Sequence, residues 1–155
     1  MGQITVKSEA VLEAPAEDVY ATIADYYQGH PRILPKEFED LRVEQGGYGA
    51  GTIIRFKMRV MGSEQSFYQR VSEPEPGRVL VEQDINPPQQ VTTTFKVDPL
   101  EQGQKSHVEI STTMKTSPGL RGLVERILVP MINPAVYRKE LKLLEEVTRK
   151  RSTRA

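Results

Sequence analysis

The chain has 155 residues, no cysteine, and 21 basic against 21 acidic side chains, so its formal net charge is zero. The lack of cysteine excludes disulfides, thiolate nucleophiles and cysteine-ligated zinc, and it fits a reducing cytoplasm. Balanced charge argues against nucleic-acid binding. No apolar run approaches the roughly 20 residues of a membrane-spanning helix, and no signal peptide is predicted. We therefore expect one cytoplasmic domain over residues 1–155.

The first predicted element is a half-buried strand near the N-terminus. Its apolar row is Ile4, Val6, Ser8, Ala10 and Leu12, alternating with polar residues, as is typical of a strand with one buried face. Ala14-Pro15 then opens a short helix, because proline suits the first helical position. Val19 and Ile23 lie four residues apart and are expected to face the core. A second short helix or turn is predicted between His30 and Glu37.

Six further short strands follow, separated by glycine- and proline-rich turns, which indicates an antiparallel meander. Their predicted ranges are Phe38–Gln45, Thr52–Val60, Glu64–Ser72, Arg78–Asp84, Val91–Val97 and Val108–Met114, with a loop from Pro99 to Lys105. Gly47–Gly51 is interpreted as a hairpin turn, since a strand rather than a helix follows it. The inward face of residues 78–84 is ambiguous.

The end of the chain predicts one long amphipathic helix, from Pro118 to about Lys150. Pro130 and Pro134 lie inside it and predict a bend, because each proline removes a backbone donor. Residues 149–155 form a basic tail, which is expected to be a frayed and solvated helix end. Weak contact of this tail with an anionic membrane surface is the alternative.

Several segments occur in the order of a known family: Leu12–Tyr20, Leu34-Pro35, Gly49–Thr52 and Val71–Arg78. These segments, together with the order of the predicted elements, resemble the START/Bet v 1-like (SRPBCC) superfamily. Within it the chain most resembles the polyketide cyclase/dehydrase and lipid-transport group. The resemblance implies an α+β helix-grip fold. In this fold a curved seven-stranded antiparallel sheet surrounds a long C-terminal helix, two short helices lie between strands one and two, and a cavity separates sheet and helix.

The inward rows of such a sheet predict the wall of a ligand pocket. The apolar candidates are Phe56, Met58, Phe67, Phe95, Ile110 and Met114; the polar ones are Gln69, Thr93 and Thr112; the C-terminal segment adds Val124, Ile127, Met131, Asn133 and Tyr137. A buried polar group without a partner costs about 1–3 kcal/mol. A ligand or a trapped water is one partner for these groups, and bonding among themselves is the alternative. For the apolar rows the alternative is plain core.

Three residues are candidates for proton transfer: Tyr26, His30 and Arg55. Imidazole titrates near neutrality, but an exposed loop histidine is the favoured interpretation of His30. Arg55 lies on the outward row of its strand, which counts against it. We expect Asp25 and Glu82 in solvent and His107 on the surface. Without an HExxH motif or a phosphate loop, no metal and no cofactor is expected.

Two functions follow from the sequence and the resemblance. The first is binding or transport of a hydrophobic small molecule such as a lipid, a quinone or a polyketide-like compound, and it is favoured because no convincing acid–base pair stands out. The alternative is a polyketide cyclase or dehydratase, in which the cavity folds the substrate and an acid–base residue moves protons. The ligand and the oligomeric state are left open.

Overall fold

Seven antiparallel strands form a single sheet in the computed structural model, which describes residues 3–60, 62–85, 91–115, 119 and 134–149. The strands are β1 Gln3–Leu12, β2 Phe38–Gln45, β3 Ile53–Val60, β4 Ser63–Glu75, β5 Val79–Asp84, β6 Val91–Leu100 and β7 Lys105–Lys115. Their order in the sheet is β1-β7-β6-β5-β4-β3-β2. The first strand therefore pairs with the last, and the predicted meander forms the rest of the sheet.

Three helices accompany the sheet in the described part of the chain. They are α1 Ala16–Ala24 and α2 His30–Ile33, both between β1 and β2, and α3, residues 134–149. Pro15 is the N-cap of α1 rather than its first helical residue, and its φ of −61° is still the value that leads into a helix. Val19 and Ile23 are fully buried, which confirms the predicted core face of α1.

Burial alternates along β1 and β7 as predicted. On β1 the row that begins at Ile4 is turned inward, and on β7 the row that ends at Met114 is turned inward. The β6–β7 hairpin is longer than expected: Pro99 and Leu100 still pair with β7, followed by a 3-10 turn, Glu101–Gly103. The fixed φ of proline is compatible with the end of a strand, so Pro99 does not stop the ladder.

Helix α3 closes the inner side of the sheet. Its apolar face joins the same core as α1 through Val136, Tyr137, Leu141 and Leu144. The Ser8 hydroxyl donates a hydrogen bond to the carbonyl oxygen of Pro134 at 2.9 Å, so α3 lies against β1. Residues 120–133, with Pro130 and the candidates Val124, Ile127, Met131 and Asn133, lie outside the described residues, as do residues 150–155. No described helix is long and apolar enough to cross a membrane.

The turn between β2 and β3 packs against the C-terminal end of α1. Tyr26 donates its backbone N–H to the Gly47 carbonyl at 2.9 Å, and Gly49 donates to the Ala24 carbonyl at 2.9 Å. Gly29 lies where a Cβ atom would be 2.4 Å from the carbonyl oxygen of Thr22, so glycine lets the start of α2 approach α1 closely. These contacts direct Tyr26 and the neighbouring α2 towards the inner face of the sheet.

Candidate functional site

A band of polar side chains crosses the inner face of the sheet from β4 to β7. Glu82 is in register with Thr93, and Thr93 with Thr112. Beside them, Gln69 on β4 is in register with Asp84 on β5. Residues opposite each other in neighbouring strands share a face of the sheet. The band therefore contains two carboxyls, an amide and two hydroxyls on a face whose other buried residues are mostly apolar.

Glu82 was expected in solvent, and this expectation was wrong. Its carboxyl is buried, with the residue 5% exposed, and its Oε1 accepts a hydrogen bond from the Tyr26 hydroxyl at 2.6 Å. Leu80, on the same row of β5, is fully buried, so the ambiguous inward face of this strand is that of Leu80, Glu82 and Asp84. The sequence did not reveal this because Val79, Leu80 and Val81 are all apolar and mask the period-two pattern.

His30 is buried as well, with 3% of the residue exposed, so its favoured interpretation as an exposed loop histidine was also wrong. It is the first residue of α2, where Pro31 is tolerated because a first-turn N–H needs no helical partner. The imidazole stacks on Tyr26, with ring centroids 4.4 Å apart, and contacts the Phe95 ring edge-on at 5.6 Å. Its Nε2 lies 3.5 Å from Glu82 Oε1.

Hydrogen bonding fixes the position of one proton on His30. Nδ1 lies 2.7 Å from the carbonyl oxygen of Ile23, which can only accept, so Nδ1 carries a hydrogen. Nε2 then faces Glu82 Oε1, an oxygen that can accept a hydrogen bond. Tyr26, Glu82 and His30, named here the acid–base cluster, thus bring an imidazole nitrogen and a carboxyl oxygen face to face in a buried site.

The Tyr26 hydroxyl is a fixed donor in this cluster. Burial and the neighbouring Glu82 carboxylate raise the pKa of Tyr26 well above its ordinary value, so the phenol stays protonated. The hydroxyl therefore donates its hydrogen bond to Glu82 Oε1, and a phenol that donates to a carboxylate forms a charge-assisted bond.

Two of the three polar candidates on the strands bond to each other and to α3. The Thr93 and Thr112 hydroxyls are 2.8 Å apart, and Thr112 is also hydrogen-bonded to the Tyr137 hydroxyl. Gln69 differs: its Nε2 donates to Asp84 Oδ1 at 3.0 Å, but its buried Oε1 has no hydrogen-bond partner in the described structure. An acceptor left bare in this way costs about 1–3 kcal/mol.

Glu140 on α3 is a buried carboxyl that the sequence analysis missed. Only 2% of the residue is exposed. Burial, and after it the charge of Glu82, raise the pKa of Glu140 well above its ordinary value, so it keeps its proton to higher pH than a surface glutamate. Its charge acts in turn on Tyr26 and Tyr137. Its position three residues after Tyr137, on the same helical face, was the signal available in the sequence.

The apolar candidates lie on the inward rows, but they are not buried to the same extent. Phe95 and Ile110 are 2% and 0% exposed. Phe56 and Phe67 stack with centroids 4.9 Å apart and are only half-buried, as are Met58 and Met114. Contact of these residues with a ligand stays a prediction.

Arg55 lies apart from the cluster. Its side chain is 54% exposed, pairs with Glu44 at 3.0 Å and lies over the Tyr68 ring at 3.9 Å. The structure thus brings together two of the three proton-transfer candidates, Tyr26 and His30, and leaves the third on the outer face.

His107 is partly exposed, 3.4 Å from Glu9, as expected of a surface residue. Among the described residues, no group of three or more metal-ligating side chains is arranged to hold a metal ion.

A protein-family model described as polyketide cyclase/dehydrase and lipid transport matches residues 3–149. The chain belongs to this family. Its curved seven-stranded antiparallel sheet with a C-terminal helix is the helix-grip fold of the START-type members, which confirms the fold predicted from the order of elements. A comparison with curated proteins finds no match.

Solved structures agree with this family and its fold. The chain is similar to the KanY protein, with 25% identity and a TM-score of 0.81 over 96% of this chain and 99% of that one. It is also similar to the Zhui aromatase/cyclase of a Streptomyces species, with 16% identity and a TM-score of 0.81 over 97% and 96%. A START superfamily protein from Mycobacterium smegmatis is 15% identical, with a TM-score of 0.74 over 96% and 99%. Likeness at these last two identities shows the fold alone.

Proposed function

We propose that the protein binds an apolar small molecule on the inner face of the sheet, with the polar end of the molecule near the acid–base cluster. The proposal rests on the uneven burial of the inward side chains along β3 and β4. Ile54 and Gln69 are each 1% exposed, whereas Phe56, Met58 and Phe67, on the same rows, are half-buried. An apolar molecule lying on these three side chains would remove them from water, which is the main driving force for such binding.

The expected affinity is modest. Burying about 300 Å² of apolar ligand surface at roughly 25 cal/mol/Å² contributes about 7–8 kcal/mol. Association costs at least about 4 kcal/mol in lost translational and rotational freedom. The difference is enough for a carrier or a sensor, and a partner for the bare Gln69 oxygen would add to it.

Phe67→Ala tests the proposal. Tyr68→Ala, which removes an aromatic side chain from the other face of the same strand, is the matched control. Titration of lipids, quinones and aromatic polyketides, followed by native mass spectrometry and calorimetry, should find at least one apolar binder. Phe67→Ala should weaken its binding by more than about 1 kcal/mol, and Tyr68→Ala should leave it unchanged. No binding by any compound class, or equal effects of the two substitutions, would contradict the proposal.

A second candidate function is acid–base catalysis on a polyketide-like substrate, and the buried His–Glu pair is the observation that favours it. His30 Nε2 and Glu82 Oε1 lie 3.5 Å apart, and both residues are buried beside an apolar face. In an intramolecular aldol cyclisation, such a pair would take a proton from the carbon between two carbonyl groups. The resulting carbanion would attack a third, more distant carbonyl group of the same substrate molecule. The proton would then pass to the new alkoxide oxygen.

The double variant Tyr26→Phe/His30→Ala separates catalysis from binding. If the cluster is catalytic, the variant should still bind a poly-β-keto substrate but give the products of its spontaneous cyclisation. Chromatography of the products, with substrate affinity measured in parallel, checks this expectation. An unchanged product distribution at equal affinity would exclude a catalytic role for the cluster and leave the binding function standing.

A further inference from the structure

The buried groups on the inner face are mostly acceptors of hydrogen bonds. Glu82 on β5 and Glu140 on α3 are buried carboxyls, Asp84 on β5 is a half-buried one, and the buried Gln69 carbonyl oxygen is an acceptor with no partner among the described residues. We name these four residues the acceptor group. The buried polar and charged residues in the described part of the chain include no lysine and no arginine, and His30 is the one base among them. The face is therefore suited to a donor or a cation rather than to an anion.

Some oxygens of the acceptor group already accept hydrogen bonds from the protein. The remaining oxygens are those that a ligand could bind. Asp84 accepts hydrogen bonds from Gln69 Nε2 at 3.0 Å and from the Val91 backbone N–H at 2.9 Å. Glu82 Oε1 accepts from Tyr26 and lies near His30. Gln69 Oε1 has no partner among the described residues. A ligand group that only donates would satisfy this oxygen without competing with the existing bonds.

We propose that the ligand carries an amine, and that its ammonium group is held within the acceptor group between Glu140 and Glu82, with the Gln69 carbonyl as a further acceptor. The inference rests on the proposed binding function and specifies the chemical class of the ligand. An ammonium has three donors and no acceptor, which matches the free capacity of this face. A buried cation beside a carboxylate forms a charge-assisted hydrogen bond, about twice as strong as a neutral one. A ligand carboxylate would be placed beside carboxyls and repelled.

Binding of an ammonium group should be accompanied by release of a proton. In the free protein, burial and the charge of Glu82 keep the pKa of Glu140 high, and Tyr26 and Tyr137 are the other titratable groups that interact with it. A neighbouring cation favours the ionised carboxylate. The ammonium therefore enters as Glu140 loses its proton to the buffer, and the net charge of the site is unchanged. An alcohol of the same chain length should bind without this exchange.

Decan-1-amine, decan-1-ol and decanoate, which differ only in the polar end, form the matched probe set. Calorimetric titration at pH 7 should give an affinity for the amine at least about tenfold above that of the alcohol, with decanoate the weakest of the three. Repetition in two buffers of different ionisation enthalpy should show about one proton released for each amine bound and none for the alcohol.

Glu140→Gln and the exposed Glu146→Gln, both on α3, provide the matched variants. Glu140→Gln should weaken amine binding about tenfold and abolish the proton release, while alcohol binding stays within about threefold. Glu146→Gln should change neither. Binding of the alcohol with no preference for the amine, or binding of decanoate as tight as that of the amine, overturns the inference alone. If none of the three compounds binds, the proposed binding function fails and the inference fails with it.

Discussion

Glu82→Ala is expected to lower the free energy of unfolding by about 3–5 kcal/mol, because it leaves the Tyr26 hydroxyl and His30 Nε2 without their buried partner. The Tyr26 hydroxyl and His30 Nε2 both face Glu82 Oε1, and Tyr26 and His30 are only 1% and 3% exposed. Urea unfolding at pH 7 measures the loss. Glu82→Gln keeps an oxygen that can accept from Tyr26, so its cost should be smaller, about 1–2 kcal/mol.

A double-mutant cycle tests whether the loss comes from the cluster rather than from the empty space that alanine leaves. Tyr26→Phe removes only the hydroxyl that donates to Glu82. Combined with Glu82→Ala, it should cost less than the sum of the two single changes, by about 0.5–3 kcal/mol for groups in one network. Additive effects would mean that the 2.6 Å bond contributes nothing, and a loss below about 1 kcal/mol for Glu82→Ala would contradict its burial.

The strands were predictable because their rows alternate, and the buried polar residues were predictable only where they interrupt such a row. Gln69, Thr93 and Thr112 are polar positions between apolar ones two residues away, and this contrast revealed them. Glu82 follows three consecutive apolar residues, so no period was visible on β5. Whether it faced the core was decided by the register with Thr93 on β6, which is a tertiary feature.

The burial of His30 and Glu140 was not predicted from the sequence for a different reason. His30 is buried because the short α2 folds back on α1, held by the Asp25 carbonyl, which accepts the His30 backbone N–H at 2.6 Å. A four-residue helix with two prolines nearby has no periodicity from which its buried face could be read. Glu140 lies in a helix with lysine and arginine at neighbouring positions, where a glutamate is ordinarily solvated, so its burial depends on how α3 packs.

Two buried carboxyls whose charges interact are difficult to explain by stability alone. Well-packed apolar side chains of similar volume often replace buried ionisable groups without loss of stability. Proteins retain strained or poorly solvated groups mainly at functional sites, where the cost is offset by binding or chemistry. Glu82 and Glu140 meet this description, since burial and the charge of Glu82 both act against ionisation of Glu140. Replacement of Glu140 should therefore stabilise the fold while impairing binding of the ligand.

Glu140→Gln is expected to make the free protein more stable than wild type at pH 8, with the advantage shrinking towards pH 4.5. The pKa of Glu140 is raised above its ordinary value of 4.5 in the folded state, so the folded protein holds a proton that the unfolded chain releases. The stability of wild type is thus full below pH 4.5 and falls as pH rises towards the folded-state pKa. The slope for one group is about 1.4 kcal/mol for each pH unit in that interval. Glutamine does not ionise and avoids this loss.

Thermal unfolding of wild type, Glu140→Gln and Glu146→Gln across pH 4.5–8 measures the difference. Glu146 is exposed on the same helix, so its variant should stay parallel to wild type throughout. A difference between wild type and Glu140→Gln that did not change with pH would show that Glu140 ionises as freely as a surface residue. Addition of decan-1-amine should then reverse the order of stability. The ammonium would stabilise the Glu140 carboxylate, and ligand binding would raise the melting temperature of wild type more than that of the variant.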